Sequence, residues 1–178
     1  MDKVDNFRVL LGNGISIIAC IVLVISGYVK DKNKTLTLQS VQYGLSAVVC
    51  IILNGISAAV INLVSIPRNI LAQRNKLGLT AKIIVSVITA VFSIAFNTRG
   101  WVGLIPIVPT IIYTFMVDKL DEENFKKLVI FLMSFWTVHD FLIQSYVSTI
   151  FNVMNIIASA IAIYRIRKAK KEPADAAV

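Results

Sequence analysis

Two asparagines, Asn62 and Asn152, lie 90 positions apart, and each is embedded in a long apolar run. Inside such a run, a carboxamide without a hydrogen-bond partner costs several kcal/mol. Each amide therefore needs a partner, which is either a neighbouring helix or a polar solute held between the two amides. Asn155 follows Asn152 by about one helical turn and could contact the same solute.

His139 and Asp140 form an ionisable pair near the end of another apolar run, just before Gln144. A helix places Asp140 on the same face as Trp136, four residues earlier, while His139 is expected to point elsewhere. An ionised carboxylate within a membrane helix is costly and often marks a proton relay or a gate. The alternative is an interfacial residue that reaches water.

Arg68 follows Pro67 towards the end of the apolar run that contains Asn62. It is either a basic anchor whose long side chain reaches the membrane surface, or an inner gate or contact for an anionic ligand. We expect a stripe of polar residues earlier in the chain either to line the inward-facing vestibule or to form hydrogen bonds with neighbouring helices. Its members are Gln39, Gln42, Tyr43 and Ser46.

Most other chemistries lack the residues that they need. The chain has one histidine, which excludes a multi-histidine metal site, and two cysteines, Cys20 and Cys50, which lie in apolar runs as buried filler. The segment Gly55-Ile56-Ser57-Ala58 lacks the second glycine of an activated-serine turn, and no phosphate-binding glycine loop occurs. We therefore expect neither an enzyme nor a cofactor.

The elements that must position these residues are membrane helices. Of the 178 residues, 57% are apolar, and the mean hydropathy is +0.77, well above the range of soluble domains. Because a spanning helix needs about 20 residues, seven spans leave only short connections. The apolar runs cover residues 9–29, 36–53, 55–70, 79–96, 101–117, 128–143 and 146–164.

The charges predict how these helices are oriented. Of the 18 Lys and Arg residues, fifteen fall on the side of the carboxyl terminus and three on the side of the amino terminus. Because cytoplasmic connections retain positive charge, we expect the amino terminus outside and the carboxyl terminus in the cytoplasm. The charges lie between apolar runs and form no basic face with interleaved aromatic residues, which argues against nucleic-acid binding.

The runs also repeat at an offset of about 90 residues, which predicts an all-α, polytopic fold of two parallel three-helix repeats joined by a linker helix (3+1+3). The single membrane domain, residues 1–178, would then comprise repeat one (9–71), the linker helix (79–97), repeat two (101–166) and a cytoplasmic tail (167–178).

The segment Asn62-Leu-Val-Ser65-Ile-Pro-Arg68-Asn69 resembles the YgjV-like bacterial inner-membrane proteins of the SWEET, SemiSWEET and PQ-loop transporter superfamily. In the sugar-transporting relatives, polar residues of helices three and seven face a central pocket, which assigns Asn62 and Asn152 to substrate binding. An aromatic residue of helix six lines that pocket, which assigns Trp136, with Ser46 at the equivalent place in helix two. The Pro-Gln dipeptide that names the superfamily is absent, and Pro106 and Pro109 are approximate stand-ins.

These observations predict a multi-pass transporter of the inner (plasma) membrane that moves a small neutral polar solute by facilitated diffusion and alternating access. A sugar, nucleoside or vitamin precursor fits, bound by Asn62, Asn152, Trp136, Ser46 and Asn155. Asp140 and Arg68 are the candidates for gating or proton coupling. The partners are the lipid bilayer and the solute, not nucleic acid, and a homo-oligomer stays open. The alternative is a non-transporting receptor, scaffold or accessory protein.

Overall fold

Every regular element of the described chain is a helix. The computed structural model describes residues 3–52, 56–97, 100–105, 107–142 and 146–175. The α-helices are α1 (Lys3–Tyr28), α2 (Lys32–Ile52), α3 (Ile56–Gln73), α4 (Leu79–Ala95), α5 (Ile107–Met116), α6 (Glu122–Leu142) and α7 (Tyr146–Asp175), and a 3-10 helix (Gly100–Leu104) precedes α5. The predicted all-α class is confirmed, and each predicted apolar run overlaps one α-helix. The predicted turns at residues 54–55 and 144–145 lie outside the described residues.

Three of the described helices are long and apolar enough to cross a membrane. Their candidate spans are Phe7–Tyr28, Lys32–Ile52 and Tyr146–Lys170. The helix Leu79–Ala95 and the stretch Gly100–Met116 are apolar but shorter. Large apolar side chains point outwards around the bundle, with Leu10 72% and Ile94 64% exposed. Exposed apolar side chains are stable in contact with lipid, whereas their exposure to water is unfavourable.

Each α-helix packs on the next one along the chain, and α7 packs on α1. The seven helices thus form a closed ring. The contact between α1 and α7 is close because Gly27 has no side chain: a Cβ there would lie 2.9 Å from the Cβ of Ala158. Small residues of this kind allow membrane helices to approach each other.

The buried ammonium group of Lys126 joins the start of α6 to the end of α1. Its Nζ donates to the backbone oxygens of Ser26 at 2.7 Å and Gly27 at 3.1 Å, and to Thr35 Oγ1 at 3.0 Å. The last carbonyls of a helix lack partners within the helix and carry partial negative charge. Lys126 therefore satisfies the end of α1 and fixes α6 beside it.

Two further lysines join helices at the same end of the bundle. Lys82 Nζ forms an ion pair with Asp118 Oδ1 at 2.7 Å, which links α4 to the end of α5. Lys32 Nζ, at the start of α2, donates to the backbone oxygen of Leu120 at 2.7 Å. We call this end the basic end; it contains the connections at residues 28–32, 73–79 and 116–122.

Glu123 connects α6 and α7 at the basic end. Its carboxylate accepts hydrogen bonds from Arg167 Nη2 at 2.8 Å and Nε at 3.0 Å, and Lys127 Nζ lies 3.0 Å away. These hydrogen bonds lower the pKa of Glu123 to about 2. The carboxylate is therefore ionised at any physiological pH.

Candidate functional site

The helix ring encloses a cavity of about 340 Å³. This volume falls in the range of about 300–1,000 Å³ in which proteins bind small molecules. The lining side chains come from α1, α2, α3, α5, α6 and α7, and none comes from α4. The lining residues are Ser16, Ala19, Cys20, Leu23, Gln39, Gln42, Tyr43, Ser46, Val49, Cys50, Ile61, Asn62, Ser65, Arg68, Thr110, Leu132, Met133, Trp136, Asp140, Ser148 and Asn152.

Most lining residues of the second half of the chain have a lining counterpart 90 positions earlier. The six pairs are Cys20 with Thr110, Gln42 with Leu132, Tyr43 with Met133, Ser46 with Trp136, Cys50 with Asp140 and Asn62 with Asn152. An offset shared by residues of α1, α2 and α3 with residues of α5, α6 and α7 means that corresponding helices present corresponding faces to the cavity.

Asn62 and Asn152 both line the cavity, but their amides are engaged differently. Asn152 is buried, and its Nδ2 donates to Asp140 Oδ2 at 2.8 Å. Asn62 is half-buried, and its Nδ2 makes a weak contact with Cys50 Sγ at 3.8 Å. The two contacts occupy equivalent places in the halves, because Cys50 precedes Asn62 by the same twelve residues that separate Asp140 from Asn152. Asn62 thus keeps more of its hydrogen-bonding capacity for a solute.

The carboxylate of Asp140 is held by protein donors on both oxygens. Asn152 occupies Oδ2, and His139 Nδ1 lies 2.8 Å from Oδ1. His139 is not among the described lining residues, but its ring turns back to the carboxylate and packs edge-to-face with Trp136 at 5.4 Å between ring centroids. Asp140 faces the cavity as the centre of a hydrogen-bonded group.

Arg68 lies inside the bundle, not at its surface. Its side chain is only 1% exposed, which rules out the anchor interpretation, since an anchor reaches water. Its Nη2 donates to Asn69 Oδ1 at 3.0 Å and to Tyr43 Oη at 3.4 Å. The guanidinium carbon lies 4.7 Å from the ring centre of Tyr113, a cation–π contact. The cause is the length of α3, which continues to Gln73 and places Arg68 more than a turn before its end.

The remaining predicted site residues separate into two groups. Trp136 and Ser46 line the cavity, and Ser46 Oγ accepts a hydrogen bond from Gln42 Nε2 at 2.9 Å. Asn155 is fully buried outside the described lining, and its Nδ2 donates to the backbone oxygen of Leu23. In this structure Asn155 joins α7 to α1.

Sequence reasoning overlooked two cysteines of the lining and one tyrosine that packs against lining residues. Cys20 and Cys50 were interpreted as filler, although the repeat offset maps them onto Thr110 and Asp140. Tyr113 was overlooked because nothing in an apolar run marks one tyrosine as inward-facing; it is fully buried, and its hydroxyl donates to Gln39 Oε1 at 2.7 Å. The offset was the available signal for the cysteines.

The cavity is equipped for recognition. It offers amide and hydroxyl groups, one aromatic face at Trp136, the cation of Arg68 and the engaged carboxylate of Asp140. Across the part of the chain that the structure describes, no three His, Cys, Asp or Glu side chains come together as metal ligands would.

A comparison with protein families identifies the family to which the chain belongs. The sequence model of Imp-YgjV, described as a bacterial inner membrane protein, matches residues 10–170. The chain belongs to the Imp-YgjV family. Searches of the curated proteins and of the solved structures found no match. As an Imp-YgjV member with apolar candidate spans, the protein is a membrane protein in contact with the lipid bilayer.

Proposed function

We propose that this Imp-YgjV protein is a multi-pass transporter that moves a small polar solute through the central cavity by alternating access. The observation that carries the proposal is the set of six lining pairs at an offset of 90 residues. Transporters that work by alternating access commonly consist of internal repeats with the substrate site at the repeat interface. A cavity lined by corresponding faces of two halves matches that design.

In this proposal the two halves are the predicted repeats, 9–71 and 101–166, and α4 is the linker that joins them. α4 contributes no described lining residue and packs on α3 and α5, as a linker outside the site would. The basic end faces the cytoplasm, because it carries most of the Lys and Arg residues. The amino terminus is then outside. The resemblance to SWEET proteins lies in this arrangement of two three-helix repeats and a linker helix.

The solute would be recognised by hydrogen bonds and stacking. Asn62 offers a carboxamide with little competition from the protein, Asn152 presents its remaining capacity beside Asp140, and Trp136 offers a ring face. A ring-containing polar molecule such as a sugar, nucleoside or vitamin precursor suits these groups. The expectation of a neutral solute assumed that no strong charge lies deep in the pocket, and the buried cation of Arg68 removes that ground.

Reconstitution in liposomes tests the proposal. Uptake of labelled sugars, nucleosides and vitamin precursors is measured for the wild type and for the double variant Asn62→Ala, Asn152→Ala. The matched control, Asn13→Ala with Asn124→Ala, removes two amides from exposed positions. We expect uptake by the wild type and the control and a loss of uptake by the cavity variant, with equal thermal stability of all three.

Two outcomes would change the account. Uptake that persists in the cavity variant would keep a transporter but move its site away from the paired amides. No uptake of any panel member by folded protein would favour the receptor or scaffold alternative, in which the cavity binds a solute without carrying it across the membrane.

A further inference from the structure

We propose that the solute of this cavity carries an anionic group, a carboxylate in the simplest case, and that Arg68 binds it. The inference names the substrate class of the site and rests on the proposed function only in calling the bound molecule a transported solute. It concerns one question, which is what pairs with the buried cation of Arg68.

The guanidinium of Arg68 is buried and has no ionic partner in the described chain. The positively charged side chain is 1% exposed, and no carboxylate of the described residues forms an ion pair with it. Its contacts are the amide oxygen of Asn69, the hydroxyl of Tyr43 and the faces of two tyrosine rings. These groups orient the cation but do not neutralise it. Buried charges are normally paired, which points to a partner from outside the described residues.

The other charged side chain in the lining, Asp140, is not the partner of Arg68, because no described ion pair joins the two. Asn152 Nδ2 donates to its Oδ2, and His139 Nδ1 lies 2.8 Å from its Oδ1. Asp140 lies two residues before the end of α6, whereas Arg68 is held to Leu36, at the basic end, through Asn69. The cation of Arg68 is therefore located towards the basic end, away from the carboxylate of Asp140.

The spacing of the lining groups suits a small ring with one carboxylate. Arg68 follows Asn62 by six residues on α3, which is about 9 Å along the helix axis. In the proposed site, a six-membered ring would present its carboxylate to Arg68 and its opposite edge towards Asn62, in the cavity that Trp136 also lines. Planar, bidentate recognition of carboxylates is the typical task of arginine in a dry site.

A binding experiment with matched compounds tests the charge preference. Two pairs of compounds are compared, nicotinate with nicotinamide and benzoate with benzamide. Within each pair, one compound carries a carboxylate and the other a neutral amide. The chain has two tryptophans, and Trp101 is 70% exposed; the Trp101→Phe variant therefore leaves Trp136 as the fluorescent reporter inside the cavity. We expect both carboxylates to change its emission saturably and to bind about tenfold or more tightly than their amides.

Two variants assign the preference to its residue. Arg68→Gln should bind the carboxylate and the amide of each pair equally, while Arg74→Gln, which removes an exposed arginine just after α3, should keep the wild-type preference. Thermal unfolding of each variant checks that it is folded. If Arg68→Gln does not fold, Arg68→Lys keeps the charge without the planar fork and should weaken carboxylate binding.

The comparison of carboxylates with amides in the Trp101→Phe protein decides without any substitution of Arg68. Amides that bind as well as the carboxylates, or carboxylates that give no saturable response, would overturn the inference and leave Arg68 as a structural residue. The same four compounds are then tested for uptake by liposomes. A carboxylate preference without uptake would contradict the transport proposal alone, whereas uptake of amides without a carboxylate preference would contradict the anion site alone.

Discussion

At the scale of single residues, Cys50 shows best how the lining residues of the earlier helices correspond to those of the later helices. Cys50 contacts Asn62, twelve residues later, as Asp140 contacts Asn152, also twelve residues later. The acceptor is a weak thiol in the first contact and a carboxylate in the second. Equal spacing in the sequence thus brings unequal acceptors to the two amides, a thiol at 3.8 Å from Asn62 and a carboxylate at 2.8 Å from Asn152.

The two cysteines give a direct test of whether the cavity is the path of the solute. Cys20 and Cys50 are the cysteines of the chain, and both are half-buried in the lining. A benzyl methanethiosulfonate transfers its benzylthio group to a cysteine sulfur and releases methanesulfinate. We expect this modification to lower liposome uptake severalfold, because the added ring occupies the cavity, and dithiothreitol to restore it.

The variant with Cys20→Ser and Cys50→Ser is the control for this treatment, since serine keeps the size but not the reactivity. It should transport before and after exposure to the reagent. Equal inhibition of the wild type and this variant would mean that the reagent acts elsewhere, and unimpaired uptake by fully modified wild type would place the path outside the cavity.

Arg68 shows why the site could be predicted only in part. The resemblance to known transporters, together with the repeat offset, assigns Asn62, Asn152, Trp136 and Ser46, and the structure brings all four to one cavity. The depth of Arg68 depends on where α3 ends and on the rings of Tyr43 and Tyr113, which belong to two other helices. Contacts between helices so far apart in the chain leave no local pattern in the sequence.

At the scale of helices, the contact of α1 with α7 closes the ring and relies on one small residue. Gly27 lies so close to α7 that an added Cβ would be 2.9 Å from Ala158 Cβ and 3.0 Å from Asn155 Nδ2. The Ala158 atom belongs to a short side chain that cannot turn away. Any larger residue at position 27 must therefore move the helices apart.

We expect Gly27→Ala to lower the free energy of unfolding by about 1–3 kcal/mol, the usual cost of overpacking. Gly14→Ala, on the same helix, meets nothing within 4 Å and should be neutral or stabilising, because alanine favours helix more than glycine does. Thermal unfolding in detergent compares the two. Equal stability of both variants would contradict the tight α1–α7 contact.

Helix positions were more predictable than helix ends. Each α-helix overlaps one apolar run, because lipid favours a continuous run that satisfies its own backbone. The starts of α2 and α6 lie several residues earlier than predicted, at Lys32 and Glu122, because charged first turns do not belong to the apolar run. Lys82 and Lys126 are buried through distant partners, Asp118 and the end of α1, which hydropathy cannot reveal.

At the scale of the whole molecule, a ring of seven helices surrounds a cavity with polar groups among an apolar lining and exposes apolar side chains outside. This arrangement is expected of a protein that keeps a polar solute away from lipid. The same arrangement could hold a ligand without releasing it on the other side, so a binding measurement cannot distinguish a carrier from a receptor. Only a measurement of solute movement across the membrane distinguishes a carrier from a receptor.

Counterflow in liposomes tests the transport claim most directly. Vesicles containing the wild-type protein are loaded with an excess of one unlabelled panel solute and diluted into a trace of the same solute carrying a label, with the variant Asn62→Ala, Asn152→Ala as control. A carrier that alternates between two sides must accumulate label transiently above its equilibrium level, and we predict this overshoot for the wild type only. Absence of an overshoot for every panel solute, with protein that is folded and correctly inserted, would contradict the account.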